Sequence, residues 1–206
     1  MNTVLPLLSQ DSYTKTCLKN KIMEKRFVSR AGEKLQFALE KFEISVKDKI
    51  CADLGSSTGG FVECLLQHGA QKVYAVEVGY GTLAWKLRQD PRVIVLEKTN
   101  ALHVELPEQV DFVSIDVGWT PQKLIIRKAL ELVKQGGDII SLLKPHYEAD
   151  RRWLRRGKLL EEYLDKTVEK VKSELLSLEI TINEIIESPI IGTKGGNKEY
   201  LIWIKK

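Results

Sequence analysis

Short apolar segments alternate with helical patterns through most of this chain, and this alternation limits its possible folds more than any other feature. The patterns predict strands near 50–54, 72–77, 93–96, 111–116 and 138–143, and helices near 30–42, 59–68, 82–89 and 121–134. Strands that are separated by helices form mostly parallel sheets with helices on both faces. We therefore expect an α/β domain.

The C-terminal third has a different pattern. Beyond Pro145 a charged segment leads into an amphipathic helix that we expect to end near residue 177. Strands near 179–187 and 199–204 flank a glycine-rich loop at residues 192–197, which predicts an antiparallel hairpin. We expect a mostly parallel seven-stranded sheet that closes with this hairpin, in a domain spanning 26–206. Residues 1–25 show no clear periodicity and should form an N-terminal tail or arm.

Composition excludes several classes of protein. The three cysteines, Cys17, Cys51 and Cys64, form no C-x-x-C pair, so we expect neither a disulfide framework nor a zinc site, and a reducing cytoplasm fits best. The apolar stretch at residues 4–8 is too short for a membrane span, and we expect no membrane partner. A net charge of +4 permits an anionic partner without requiring one.

A glycine-rich segment follows the first predicted strand and is the strongest local signal for a cofactor. Glycines there let the backbone approach a ligand closely, at the sheet edge where open α/β folds bind nucleotides. The candidate cofactor-binding residues of this segment are Asp53, Gly55, Ser56, Ser57, Thr58, Gly59, Gly60 and Phe61. The alternative interpretation is a purely structural turn.

The spacing of these glycines is neither the G-x-G-x-x-G of dinucleotide sites nor a phosphate-binding P-loop, which argues against both NAD and ATP. A cofactor with adenosine but no phosphate needs an acid for its ribose hydroxyls, and Glu77 ends the second strand. S-adenosyl-L-methionine suits these parts. Further candidates at the same edge are Val78, Asn100 and Ala101, with Asp116 reaching the methionine end.

Several segments together resemble the TlyA or hemolysin-like branch of the FtsJ-type ribosomal RNA 2′-O-methyltransferases. They are residues 27–35, the cofactor loop, 73–81, 83–88, 97–100, 143–148 and the glycine-rich loop before Glu199. The resemblance runs from Phe27 to the C-terminus. It implies a Rossmann-like methyltransferase of class I, S-adenosylmethionine as cofactor, and ribosomal RNA as methyl acceptor.

The resemblance also implies a catalytic Lys-Asp-Lys-Glu tetrad, which matches Lys34, Asp116, Lys144 and Glu199 here. Lys144 would then lie closest to the attacking ribose hydroxyl, and the other three would orient it and fix protonation. The sulfonium-bound methyl group is already activated, so the protein must mainly align a 2′-hydroxyl and help to remove a proton. Lys34 near Lys144 would favour the uncharged form of a buried lysine, and the two carboxylates of the tetrad would hold both amines in place.

This chain departs from the family pattern in three places. Only about 25 residues precede the shared region, so we expect the S4-type RNA-binding domain of this branch to be absent and an accessory partner to be a possible replacement. Gly118 and Trp119 stand where the family usually has a Ser-Phe segment, beside the active site. Glu77 replaces the commoner Asp but keeps a carboxylate for the ribose.

A basic segment after Lys144 is the candidate RNA-binding surface. Its arginines would hold phosphates, and its indole would stack on an unpaired base. The candidate residues are Arg151, Arg152, Trp153, Arg155 and Arg156, and Arg30 would extend the same surface, as would Lys19, Lys21, Lys25 and Arg26. The alternative is a solvated helix start whose arginines pair with Glu161, Glu162 and Asp165.

Three functions compete at this stage. The leading one is an RNA ribose 2′-O-methyltransferase. The second is a methyltransferase whose acceptor is a small molecule or protein, for which a paired-lysine site is unusual. The third is a catalytically idle protein that binds the cofactor or RNA. The sequence fixes neither the particular RNA nor the oligomeric state.

Overall fold

The computed structural model describes residues 26–192 and 195–206. The predicted N-terminal tail at 1–25, with its lysines and Cys17, lies outside the described residues. The described elements are helix α1 (Ala31–Lys41), strand β1 (Ile50–Leu54), α2 (Gly60–Gln67), β2 (Lys72–Val76), α3 (Trp85–Arg88), β3 (Val93–Leu96), β4 (Val110–Ile115), α4 (Gln122–Leu132), β5 (Val133–Leu143), α5 (Pro145–Glu148), β6 (Leu154–Arg155), β7 (Lys158–Leu159), α6 (Leu164–Leu176), β8 (Thr181–Glu187) and β9 (Tyr200–Lys205). Short 3₁₀ turns at Arg151–Trp153 and Glu161–Tyr163 flank the β6–β7 pair.

Seven strands form one sheet in the order β3-β2-β1-β4-β5-β9-β8. Strands β1 to β5 pair in parallel, and β9 runs antiparallel to both of its neighbours, β5 and β8. The predicted fold, a mostly parallel sheet with an antiparallel C-terminal hairpin, is therefore confirmed. The strand order changes direction between β1 and β4, and ligands of open α/β sheets bind at such a switch point.

Both faces of the central strands are buried, as their apolar segments predict. Phe112 of β4 belongs to the core cluster on the α1–α2 side, whereas its neighbour Val113 belongs to the cluster on the α4–α6 side. Leu35 of α1 and Ile125 of α4 are fully buried on these two sides. The alternation of side chains along each strand thus supplies two cores from one sheet.

Two predicted boundaries were wrong. The fifth strand begins at Val133 instead of 138 because α4 passes directly into β5 and Val133 pairs with Val110 of β4. The predicted helix at 82–89 is only Trp85–Arg88, because Ala84 has an extended backbone (φ −57°, ψ 138°) and the helix begins after it. Both differences arise at element ends, where tertiary pairing and local backbone angles override the periodicity of the sequence.

The charged segment after Pro145 was predicted to lead into the amphipathic helix, but other elements come first. It forms a two-stranded hairpin, β6–β7, in which Leu154 pairs with Leu159 and Arg155 with Lys158. The two turn residues, Arg156 and Gly157, both have positive φ (51° and 80°), as a tight hairpin turn requires. The helix that follows begins only at Leu164.

The described part of the chain has no helix that is long and apolar enough to cross a membrane. Among the same residues, no group of three or more His, Cys, Asp or Glu side chains is placed to hold a metal ion. Cys51 and Cys64 are buried and free.

Candidate active site

A cavity of about 640 Å³ opens at the carboxyl ends of β1 and β4, at the switch point of the sheet. This volume is within the usual range for ligand sites. Twelve of the residues predicted from sequence line it: Arg30, Lys34, Asp53, Gly55, Ser56, Ser57, Thr58, Gly60, Phe61, Asp116, Lys144 and Glu199. Ser29, Ala31, His146, Tyr147 and Gly192 complete the lining.

The turn after β1 positions the cofactor loop. The amides of Gly55 and Ser56 both donate to the carbonyl of Val76 at the end of β2. Gly55 has φ +88°, and a Cβ there would lie 2.6 Å from the carbonyl oxygen of Asp116. Only glycine fits this position, because it combines a left-handed backbone with close approach to the end of β4.

The loop contains polar groups that have no protein partner. Asp53 is 1% exposed and its Oδ1 accepts a hydrogen bond from the hydroxyl of Ser114, but Oδ2 is buried without a partner. The hydroxyl of Ser56 is also buried and unpartnered. Burial raises the pKa of Asp53 to about 7, and the nearby carboxylates of Asp116 and Glu77 add to this effect. Such groups are costly unless a ligand satisfies them.

Five of the predicted cofactor residues lie outside the cavity lining. Glu77 accepts hydrogen bonds from the amides of Ser57 and Gly79, both at 2.8 Å, so its carboxylate lies against the cofactor loop. Asn100 is exposed, and its Oδ1 accepts from the amide of Leu102 at 3.0 Å. The remaining three predicted residues outside the lining are Gly59, Val78 and Ala101.

Two ion pairs also line the cavity. The first joins Lys144 Nζ to Asp116 Oδ1 at 2.5 Å, and Lys144 also donates to the carbonyl of Val117 at 3.3 Å. Asp116 follows β4 and Lys144 follows β5, and these strands are parallel neighbours. The pairing therefore follows from topology, because the carboxyl ends of parallel neighbours meet at one edge of the sheet.

The second ion pair joins Lys34 to Glu199, and both side chains are buried, with 7% and 5% exposure. Lys34 is on α1, whereas Glu199 immediately precedes β9. Because β9 is antiparallel to β5, its N-terminal end reaches the edge at which Lys144 lies. The structure thus brings the four residues of the predicted tetrad to one cavity as two pairs.

Aromatic side chains that sequence reasoning missed flank these pairs. Trp119 is 81% exposed, has φ +63°, and packs on Tyr147 with ring centroids 4.4 Å apart. Tyr147 in turn packs on His146, and both line the cavity. Burial, with Lys144 as a second cause, lowers the pKa of His146 and favours its neutral form. The sequence signals were the unusual Gly118-Trp119 segment and the family-like segment at 143–148.

The predicted RNA-binding residues after Lys144 lie on and before the β6–β7 hairpin, outside the cavity lining. Arg151, Arg152, Arg155 and Arg156 are exposed. Arg152 pairs with Asp150 rather than with any of the predicted partners, and Glu161 pairs with Lys198. The indole of Trp153 is stacked on Tyr163, at 4.7 Å and 1° between the rings, so base stacking by this residue is not indicated.

The carboxylates and the hydroxyl group in and beside the cavity suit a cationic ligand that carries hydroxyl groups. Asp53 and Asp116 line the cavity, Glu77 adjoins it, and the unpartnered Asp53 oxygen and Ser56 hydroxyl offer hydrogen bonds. S-adenosylmethionine carries a sulfonium and an ammonium group, together with ribose hydroxyls. Its charge would compensate that of the carboxylates.

Comparison with known proteins agrees with this chemistry. The model of the family described as FtsJ-like methyltransferase matches residues 27–206. The 16S/23S rRNA (cytidine-2′-O)-methyltransferase TlyA of Mycobacterium tuberculosis (strain ATCC 25618 / H37Rv) is 37% identical over 188 residues, 88% of this chain and 69% of that protein. A candidate rRNA methyltransferase of Bacillus subtilis (strain 168), YqxC, is 41% identical over 185 residues.

These matches extend over most of this chain but not over all of the relatives. The YqxC alignment covers 86% of this chain and 65% of YqxC, so the chain spans just under two thirds of that protein. Among solved structures, a candidate hemolysin from Streptococcus thermophilus has a TM-score of 0.85 at 38% identity, over 90% of this chain and 69% of that one.

Proposed function

Because the chain belongs to the FtsJ-like methyltransferase family, we propose that it transfers a methyl group from S-adenosyl-L-methionine to a ribose 2′-hydroxyl of ribosomal RNA. S-adenosyl-L-methionine is the cofactor that the family and the acceptor-rich cavity imply, and it supplies an activated methyl group. We also propose a cytoplasmic location, because ribosomal RNA is the proposed acceptor. A separate RNA-binding protein is a further proposed partner.

The observation that carries this proposal is the convergence of the two ion pairs, Lys144–Asp116 and Lys34–Glu199, on one cavity with the cofactor loop. Transfer to a hydroxyl requires alignment of its oxygen with the methyl group and removal of its proton. Lys144 is the more exposed of the two lysines, at 17% against 7%. We assign it the acceptor hydroxyl: an amine that has passed one proton to Asp116 would accept the hydroxyl proton as the methyl group is transferred.

The surroundings of the site support an RNA acceptor. Trp119 offers an exposed ring beside the cavity, on which an unpaired base can stack. The arginines of the hairpin add exposed positive charge within the same C-terminal half. Phosphate contacts can fix the position of an RNA, and an exposed ring can hold an unstacked base.

Transfer of radiolabelled methyl groups tests the proposed acceptor. We expect label in ribosomal RNA, presented both as intact subunits and as purified RNA, and no label in DNA of the same sequence, which lacks the 2′-hydroxyl. A requirement for cell extract would support the accessory partner. Label in protein or in small molecules, with none in RNA, would contradict the proposal.

The affinity for S-adenosylmethionine should depend on pH through Asp53. Its pKa near 7 means that the free protein holds a proton there below neutrality. A cation in the cavity stabilises the carboxylate and lowers that pKa, so binding releases this proton and the affinity falls as the pH drops from 7.5 to 5.5, by up to about tenfold per pH unit. Calorimetry in buffers of different ionisation enthalpy measures both effects.

Asp53→Asn provides the matched control for this pH dependence. The variant keeps the size of the side chain but has no carboxyl proton to release, so its affinity should be weaker and nearly independent of pH over the same range. An unchanged pH dependence in this variant would assign the proton to another group.

The hairpin arginines should contribute to RNA affinity through phosphates. Replacing Arg155 and Arg156 by alanine removes two exposed charges, and the slope of log affinity against log salt should fall by about 1.4 for a single-stranded site. Arg127→Ala with Lys172→Ala, which removes two exposed charges from α4 and α6, is the control. Equal losses in both double variants would show only a general charge effect.

A further inference from the structure

The β6–β7 hairpin is too small to hold its own position. Each strand has two residues, and an isolated two-stranded hairpin is marginally stable at best. Its turn also has a non-glycine residue, Arg156, at positive φ. Contacts with the rest of the molecule must therefore fix the position of the exposed arginines.

One such contact is aromatic. Trp153, just before β6, stacks on Tyr163, just before α6, and Lys166 Nζ lies 4.9 Å from the centroid of the indole ring. Both strands of the hairpin lie between Trp153 and Tyr163 in the sequence. This stack therefore closes the base of the hairpin onto α6 but does not reach its turn.

The second contact comes from a distant part of the chain. Asn197 is 4% exposed, and its Oδ1 accepts a hydrogen bond from the amide of Leu159 at 2.9 Å. Its Nδ2 donates to the carbonyl of Gly157, at the turn, at 3.0 Å. One buried amide thus holds both β7 and the hairpin turn.

Asn197 belongs to the loop that carries Glu199. The carbonyl of Asn197 accepts from the amide of Gly192 at 2.8 Å, and the carbonyl of Glu199 accepts from the amide of Ser188 at 2.8 Å, which closes the loop twice. A Cβ on Gly192 would lie 2.9 Å from Glu199 Oε1 and 3.3 Å from the Asn197 carbonyl oxygen. The loop backbone is therefore packed against the carboxylate that pairs with Lys34.

We propose that Asn197 is a positioning residue that fixes the basic hairpin against the loop carrying Glu199. The hairpin would then hold RNA phosphates at a fixed position relative to the acceptor ribose in the cavity. The inference rests on the proposed function. Its structural part, the attachment of the hairpin by Asn197, is independent of RNA and is tested separately.

Hydrogen exchange of the protein without RNA tests the attachment. Asn197→Ala removes the side-chain hydrogen bonds to Leu159 and Gly157, and we expect peptides covering residues 154–163 to exchange at least about tenfold faster, with β1 unchanged. Asn183→Ala, on the exposed face of β8, is the matched control and should exchange like the wild type. Unchanged exchange of the hairpin in Asn197→Ala would overturn the inference.

RNA binding and turnover test the coupling. In Asn197→Ala the salt dependence of RNA affinity should weaken and kcat/KM should fall at least about tenfold, whereas the affinity for S-adenosylmethionine stays within about twofold. Added to Arg155→Ala/Arg156→Ala, the Asn197 change should weaken RNA binding no further, because it acts through the same arginines. Additive losses, or an equal loss of cofactor affinity, would overturn the coupling.

Two further outcomes are distinguishable. If Asn197→Ala does not fold, Asn197→Ser repeats the test, because serine keeps a polar group but cannot reach both partners. If the wild type neither binds nor methylates RNA, the proposed function fails and the coupling fails with it. In that case faster exchange of the hairpin would still support the attachment, and unchanged exchange would reject it.

Discussion

Replacing Lys144 by alanine is expected to lower the rate of methyl transfer by about 10²–10⁴-fold while the affinity for S-adenosylmethionine stays within about threefold. Lys144 has 17% side-chain exposure, and it contacts Asp116 and the carbonyl of Val117, which lie outside the cofactor loop. Its removal leaves the cofactor loop intact but takes away the amine that we assign to the acceptor hydroxyl. Single-turnover transfer to RNA and calorimetric cofactor binding measure the two quantities.

Lys144→Arg and Lys41→Ala sharpen this test. Arginine keeps the positive charge beside Asp116 but does not lose its proton in proteins, so it should not restore the rate. Lys41→Ala removes an exposed lysine at the end of α1 and should leave the rate unchanged. Full activity in Lys144→Ala, or rescue by arginine, would contradict the assigned role.

Replacing Lys34 by methionine is expected to destabilise the fold by about 3–5 kcal/mol. The change leaves Glu199, which is 4% exposed, as a buried carboxylate without its cation. The large cost comes from the uncompensated charge, since a buried ion pair itself contributes little net stability. Urea denaturation measures the free energy of unfolding of the variant and the wild type.

A double variant separates charge from packing. Lys34→Met with Glu199→Leu removes both charges, so most of the lost stability should return, whereas methyl transfer should be lost because two residues of the tetrad are absent. Breaking the Lys128–Glu131 pair, in which Glu131 is 60% exposed, should cost at most about 1 kcal/mol. If Lys34→Met cost no more than this exposed pair, the two buried side chains would not depend on each other for stability.

The main sheet could be predicted because its strands are short apolar runs, and the central ones are buried on both faces. Segments such as Ile50–Leu54 and Val93–Leu96 are short apolar runs between helical patterns, and both occupy the predicted positions. The antiparallel hairpin followed from the glycine-rich loop between two strand patterns. The β6–β7 hairpin gave no such signal, because its two-residue strands depend on Asn197, some 40 residues away, for their position.

The candidate active site was only partly predictable, because some of its residues are far apart in the sequence. The glycine loop and Asp53 follow from a local pattern at the end of a strand, and Asp116 and Lys144 end neighbouring parallel strands. Lys34 and Glu199 are 165 residues apart and no local pattern relates them, so only the family resemblance placed both in the site, and the structure shows that they pair. Trp153 was expected to stack on a base of the RNA, and in the structure its ring stacks on that of Tyr163.

The position of the transferred methyl group tests the central claim most directly. RNA labelled by the wild-type protein is hydrolysed in alkali, which cleaves the phosphodiester bond only where the 2′-hydroxyl is free. We predict that the label will be recovered in alkali-resistant dinucleotides, because a 2′-O-methyl group blocks cleavage at the modified ribose. Label recovered entirely in mononucleotides would place the methyl group on a base and contradict the proposed ribose 2′-O-methyltransferase.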